Sequence, residues 1–265
     1  MYGCEVWGFS NLETIERAHT KFCKSLLHLR RSSANYFCYG ELGRRPLKTL
    51  IMARIIKYWL KLTTVKKDTL MYKVYKFMYG ATENNTAVNW ATSVKHLLGN
   101  LGFYDVWLQQ GVGDVNKFMM ICKQRLNDQY LQEWNNIVDN SGDGTLYKHI
   151  KRELVYSEYL NIINIAKYRY SFARFVTRNH KLTIITERWA RGRPYPERVC
   201  PECNILDDEF HCVLECTKYL DWRRKYIKKY YYRRPSMLKF VQLLTSADKK
   251  TIQGLAMFLN KGGIC

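Results

Sequence analysis

The chain has no run approaching the roughly 18 uninterrupted apolar residues that a membrane-spanning helix needs. Nothing near its N-terminus resembles a secretory signal peptide. Acidic residues are scarce beside basic ones: 23 Asp and Glu face 43 Lys and Arg, a formal charge of +20 over 265 residues. Such a field favours a polyanion, either nucleic acid or an acidic membrane surface; the partner expected is RNA or DNA, with no membrane. No glycine-rich phosphate loop of the Walker type is present; Gly111-Val112-Gly113 is too short and reads as a turn between helices. His19, His28, His96 and His149 have no nucleophile or ligand partner nearby in sequence, and no Ser/His/Asp or Cys/His arrangement can be built. A small-molecule substrate and catalysis by this chain alone are therefore not expected. The nine cysteines are odd in number, and Cys4, Cys23, Cys38, Cys122 and Cys265 are scattered, unlike a secreted disulfide framework. Reduced thiols in an intracellular protein are the expectation.

What is present begins with helical periodicity. Apolar residues make up 47% of the chain, enough for a core. Ile15, His19, Phe22, Leu26 and Leu29 recur at three- and four-residue intervals, as one face of a helix requires, with Asn11 as its expected N-cap. A second helix is expected from Pro46, whose missing N–H costs nothing in a first turn, with Leu47, Ile51, Ile55, Tyr58 and Leu62 inward. Further helices are expected over 67–79 and 87–98. The longest carries Val115, Met119, Cys122, Leu126, Tyr130, Trp134 and Ile137 behind a capping Asp114. Asn140-Ser141-Gly142-Asp143-Gly144 marks a break.

Beyond that break the charge comes in blocks. From Asn164 to Val199 nine Lys and Arg face two acidic residues; from Lys218 to Arg234 eight face only Asp221. Between them, 200–216 holds Glu202, Asp207, Asp208, Glu209 and Glu215 and no Lys or Arg. Asp207 and Asp208 lack the flanking strands and third carboxylate of a polymerase metal site and read as solvated turn residues. Cys200, Cys203, His211 and Cys216 form a C-x2-C-x7-H-x4-C run within seventeen residues. Three thiolates and an imidazole are the ligand set of a closed structural zinc site. One tight turn aims the first two sulfurs at a common ion, and a short helix carrying His211 and Cys216 closes the far side. Cys212, beside His211, is an alternative fourth ligand; His211 is preferred. Basic and aromatic residues interleave on both flanks, as in single-strand binding surfaces. Tyr219, Trp222, Tyr226 and Tyr230 also fall at helical spacing, which reads as a core-facing stripe ahead of a stacking platform.

The run, with Asp208-Glu209-Phe210-His211, Glu215-Cys216-Thr217-Lys218-Tyr219 and Arg223, resembles the cysteine-histidine knuckle near the C-terminus of LINE-type (non-LTR) retrotransposon reverse transcriptases. Arg178-Asn179-His180-Lys181-Leu182 and Glu187-Arg188-Trp189 are similar to the stretch preceding that knuckle. Tyr2-Gly3-Cys4-Glu5-Val6-Trp7-Gly8 and Tyr39-Gly40-Glu41-Leu42-Gly43-Arg44-Arg45-Pro46-Leu47 resemble the region following the polymerase thumb, so the likeness spans about Tyr2 to Arg223. Relatives often have proline where Thr217 stands.

The resemblance implies the C-terminal portion of an RNA-directed DNA polymerase, Met1 falling inside a formerly longer reading frame. The catalytic aspartates of such a polymerase lie upstream of what is seen here. A nuclear location follows from the family. The expected fold is mostly α: a multi-helix post-polymerase bundle over 1–140, a basic helical segment over 145–199, the knuckle over 200–216 with one structural zinc ion, and a basic, aromatic helical tail over 217–265. Nucleic-acid contacts are expected from Arg169, Arg174, Arg178, His180, Lys181, Arg188 and Arg191 before the knuckle. After it they are expected from Arg223, Arg224, Lys225, Lys228, Lys229, Arg233 and Arg234. The alternatives are a zinc-stabilised structural or protein-interaction module and a decayed retroelement fragment without function.

Overall fold

A computed structural model describes residues 2–10, 12–142, 146–190 and 192–265, with only the backbone of 188–190. Asn11, Asp143, Gly144 and Arg191, each given a part above, lie outside the described residues. The described chain is helical throughout, with no strand and a single antiparallel bridge between Val199 and Leu206. In order, α1 is Cys4–Trp7, α2 Leu12–Leu26, α3 Asn35–Leu42, α4 Leu47–Thr64, α5 Leu70–Glu83 and α6 Trp90–Asn100. Next come α7 Tyr104–Gln109, α8 Val115–Asn140, α9 Tyr147–Ile150, α10 Tyr159–Ile162, α11 Ala166–Val176 and α12 Thr183–Ala190. Last are α13 Leu220–Tyr226, α14 Lys229–Tyr232, α15 Met237–Leu244 and α16 Lys249–Lys261. Two compact units result: Met1–His19 with Arg45–Trp134, and Thr20–Arg44 with Asn135–Cys265.

In the first unit the helix starts follow from side-chain caps. Asp114 Oδ1 accepts from the N–H groups of Asn116 and Lys117 at 2.9 and 3.0 Å, starting α8 where the sequence places it. Asn89 and Thr92 form a reciprocal capping box on α6, satisfying donors that a helix start leaves open. The core gathers Ile51, Ile55 and Trp59 of α4, Val94 and Leu98 of α6, and Trp107 of α7, all fully buried. Trp59 stacks on Trp107 with ring centres 5.8 Å apart and donates its indole N–H to the Tyr75 hydroxyl at 2.9 Å.

The second unit is built on α11 and α16, which pack along each other. Phe172 and Phe175 of α11 and Leu255, Phe258 and Leu259 of α16 are fully buried. Polar ties fix the register: Asn260 Nδ2 donates to Ser171 Oγ at 3.0 Å, and Lys181 N donates to the Ile264 carbonyl at 2.9 Å. The last helix is thus a central element of the unit's core, not the tail expected, because its apolar stripe finds α11. It also meets α13, where Gly254 is required: a Cβ there would lie 2.3 Å from the Tyr226 carbonyl oxygen. Gly43 likewise has φ +59° and brings its α-carbon against the backbone of Val155 and Tyr156.

Candidate metal centre

Backbone hydrogen bonds form the site before any metal is considered. The Val199–Leu206 bridge, with Cys200 N donating to the Ile205 carbonyl at 2.7 Å and Asn204 N to Cys200 at 2.9 Å, closes a tight turn. Asn204 takes φ +54° there, a conformation asparagine tolerates better than most residues. Cys200 and Cys203 stand on this turn. Asp208 Oδ1 then accepts from His211 N at 2.7 Å, starting a single π-turn over His211–Glu215. Its closing bond runs from Cys216 N to the His211 carbonyl at 2.8 Å. A bond across five residues brings the side chains of 211 and 216 together, which an ordinary helical turn does less directly.

The ligand atoms of Cys200, Cys203, His211 and Cys216 all lie within 4.8 Å of one another, a group that can hold a metal ion. Sγ of Cys216 is 3.7 Å from that of Cys200 and 3.8 Å from that of Cys203, far beyond a disulfide bond. His211 is 3% exposed, and neither ring nitrogen has a hydrogen-bond partner; the Glu215 carboxylate stands 3.7 Å from Nδ1. An imidazole buried this way is costly unless a further atom completes it, so the residues present fit a cation. Cys212, fully buried, is not part of the group.

The thiols differ in readiness. The Thr217 hydroxyl and N–H lower the Cys203 thiol, whereas burial pushes Cys216 up to about 12. Loading a cation therefore expels protons.

The surrounding charges are built in. Arg223 is 2% exposed; its Nε donates to the Val213 carbonyl at 2.7 Å and its Nη2 to those of Cys216 and Cys212 at 2.8 and 3.2 Å. That placement corrects its assignment as a phosphate contact, since the guanidinium is consumed inside the knuckle. Asp207 and Asp208 are likewise not solvated turn residues. Asp207 is buried and its Oδ2 accepts from Thr183 N at 2.8 Å, capping α12, while Asp208 caps the π-turn. Glu209 accepts from His180 Nε2 at 2.9 Å and meets Arg178 Nε at 3.2 Å. Burial pushes the Glu209 carboxyl up, but His180 and Arg178 outweigh it and hold it at about 2. His180 is fully buried and Arg178 largely so, so both leave the candidate phosphate surface. The D-D-E run before His211 was visible in sequence, but Thr183, His180 and Arg178, the partners of Asp207 and Glu209, are distant in the chain; only the Asp208 contact to His211 is local.

Of the other basic candidates, half-buried Arg169 donates to the Leu160 and Ile163 carbonyls, and Arg174 Nε to that of His28 at 2.8 Å. Lys181, Arg224, Lys225, Lys228, Lys229, Arg233 and Arg234 are exposed, Lys228 pairing with Asp248 at 2.8 Å. The side chain of Arg188, like Arg191, lies outside the described residues. Tyr219 is buried edge-on to Phe258, Trp222 stacks on Tyr226, and Tyr230 is 59% exposed beneath the Lys239 amine. The aromatic series thus divides: its first member is core, its last is open. Lys239 beside Tyr230 was not among the sequence candidates; only the fold joins them.

Fold and site together define a helical chain with a compact Cys3His cluster. No family model, curated protein or solved structure matches it. Among the described residues no helix is long and apolar enough to cross a membrane.

Proposed function

We propose that the chain is a zinc-stabilised, nucleic-acid-binding helical module, related to the C-terminal region of LINE-type reverse transcriptases and acting by binding rather than synthesis. The observation that carries the metal assignment is the sulfur spacing. Four ligands about one Zn2+ with Zn–S near 2.3 Å place the sulfurs about 3.8 Å apart, and the two sulfur pairs measured are 3.7 and 3.8 Å. Zinc bound there is structural: with four protein ligands, no position is left for a substrate.

The charge supports the partner. The chain carries +20, and six bases between Arg224 and Arg234 stand exposed close in sequence to the knuckle. Single-stranded RNA or DNA suits that surface, with Tyr230 a ring on which a base can stack. The family reading adds a nuclear location.

Elemental analysis of purified protein tests the metal, with one zinc per chain expected. Cys203→Ser abolishes loading and melts the second unit's knuckle, whereas Cys212→Ser keeps the metal. Absence of zinc, or its loss in Cys212→Ser with retention in His211→Ala, overturns the ligand set. A second reading, a zinc-pinned protein-interaction module, is favoured by one observation: Leu70, Val74 and Phe77 lie exposed along one face of α5. Salt-independent affinity for RNA would favour it.

A further inference from the structure

The run Arg-Arg-x-Ser occurs twice in the chain, as Arg30-Arg31-Ser32-Ser33 and as Arg233-Arg234-Pro235-Ser236. Paired guanidiniums three and two residues before a serine are a charge pattern that protein kinases with acidic recognition grooves select. The fold treats the two copies differently. Ser33 is half-buried, and its hydroxyl donates to Asn179 Oδ1, which also accepts from Arg30 N at 3.2 Å. A kinase would have to break that tie to reach it. The second copy lies open. Every residue from Arg233 to Leu238 is exposed, including Met237, the apolar residue that follows the serine. Ser236 has extended backbone, with φ −150° and ψ 155°, as a segment laid along an enzyme's cleft must have. Its oxygen accepts from Lys239 N at 3.3 Å, which leaves the O–H proton uncommitted. Just upstream, α14 is a single turn with no buried residue, so drawing this segment outward disturbs no core.

We propose that Ser236 is a phosphorylation site for an arginine-directed serine kinase, and that the phosphate weakens the chain's hold on nucleic acid. Ser236 Oγ attacks the γ-phosphorus of ATP. The Oγ–P bond forms, the bond from that phosphorus to the β,γ-bridging oxygen breaks, ADP leaves, and the hydroxyl proton passes to the kinase's catalytic aspartate. The phosphoserine carries roughly −1.5 to −2 in charge at neutral pH. Its position holds it in place. Ser236 caps α15, whose first turn has no acidic residue, and the open N–H groups and dipole of a helix start favour an anion. Lys239, whose Nζ already reaches back to the Arg234 carbonyl at 3.0 Å, supplies a cation three residues on. The phosphate then stands beside Arg233 and Arg234 in the chain, two of the exposed bases assigned to the strand, and competes with the strand for them. The effect on binding rests on the nucleic-acid reading above; the modification itself does not.

The full zinc-loaded chain, incubated with Mg-ATP and an arginine-directed kinase of the cyclic-AMP-dependent class, tests both. Mass spectrometry is expected to place phosphate on Ser236. Ser33→Ala takes it up as the parent does. Ser236→Asn, which keeps a cap acceptor but has no phosphorylatable hydroxyl, takes up none there. Filter binding of a single-stranded RNA across a salt series then compares the modified and unmodified forms. At about 0.1 M salt each contact withdrawn weakens binding roughly fivefold, and the slope flattens by about 0.7 for each. Ser236→Asn treated with kinase and ATP binds as the unmodified chain does, which assigns the effect to that phosphate. Phosphate on Ser33 in place of Ser236, or none at all, overturns the site. Phosphate on Ser236 with affinity and slope unchanged overturns the switch. Absence of salt-dependent binding by the unmodified chain removes the nucleic-acid reading and the switch with it, while the site is still decided by the mass spectrum.

Discussion

Arg223 shows how a single residue's role is set by what surrounds it. In sequence it is one base in a basic segment; in the fold its guanidinium spans three carbonyls of the loop that carries His211 and Cys216. Burial lowers its pKa from the ordinary value, opposed by the nearby Cys216 and Cys212 thiols. Once a cation holds three thiolates, the cluster carries net negative charge, and this buried guanidinium is its counter-ion. Arg223→Met leaves three buried carbonyls without their donor and is expected to cost about 3 kcal/mol. Arg224→Met, at an exposed neighbour, should change stability by less than about 0.5 kcal/mol. Chemical denaturation of zinc-loaded protein, with zinc content measured alongside, checks both; equal effects would show that the carbonyl contacts contribute nothing. Arg223→Lys should recover little, because an ammonium cannot reach three divergent carbonyls as a planar fork does.

At the scale of the element, close backbone approach decides which glycines matter. Gly254→Ala drives a methyl into the Tyr226 carbonyl, where α16 meets α13, and should destabilise by about 2 kcal/mol. Gly80→Ala, inside α5 with nothing within 4 Å, should stabilise by about 0.5–1 kcal/mol through helix propensity. Thermal melts of the two variants should move in opposite directions; a shared direction would mean that space around the glycine is not what matters. The same contrast explains what the sequence made legible. α4 and α8 could be read because Pro46 and Asp114 act within a turn of themselves, and Ile51, Ile55, Met119 and Cys122 repeat at helical spacing. The face of α2 could not. Phe22 and Leu26 are exposed, while Thr20, Cys23 and Leu27 are buried, because the Thr20 hydroxyl meets Tyr39 at 2.8 Å. Likewise Val138, not Ile137, is buried at the end of α8. Hydrophobicity alone does not choose between adjacent registers when the deciding contact comes from another helix. The four clustered ligands were legible because their spacing is local, and the inward acids around them were not.

For the whole molecule, the charge count understates what the second unit offers a polyanion. Asp207, Asp208 and Glu209 are spent on two helix starts and a buried ion pair, so of the five acids in the block only Glu202 and Glu215 stand exposed. Arg178, His180 and Arg223 are withdrawn at the same time, and Lys228 is matched by Asp248. Arg234 remains exposed, with four other exposed bases beside it in sequence: Arg224, Lys225, Lys229 and Arg233. Each phosphate neutralised on a single strand contributes about −0.7 to the slope of log affinity against log salt. Replacing these four with Ala should flatten that slope by about 0.7 for each that makes a contact. Replacing Lys57, Lys61, Lys66 and Lys73, equally exposed in the first unit, removes the same formal charge and should change it less. Filter binding of a single-stranded RNA across a salt series separates net charge from placement. Equal flattening by the two sets would mean that overall charge alone draws the strand, and a larger effect from the first-unit set would move the binding face there. A slope unchanged by either would leave the charge surplus to solubility and favour the interaction module, whose surface would then be the exposed Leu70, Val74 and Phe77 of α5.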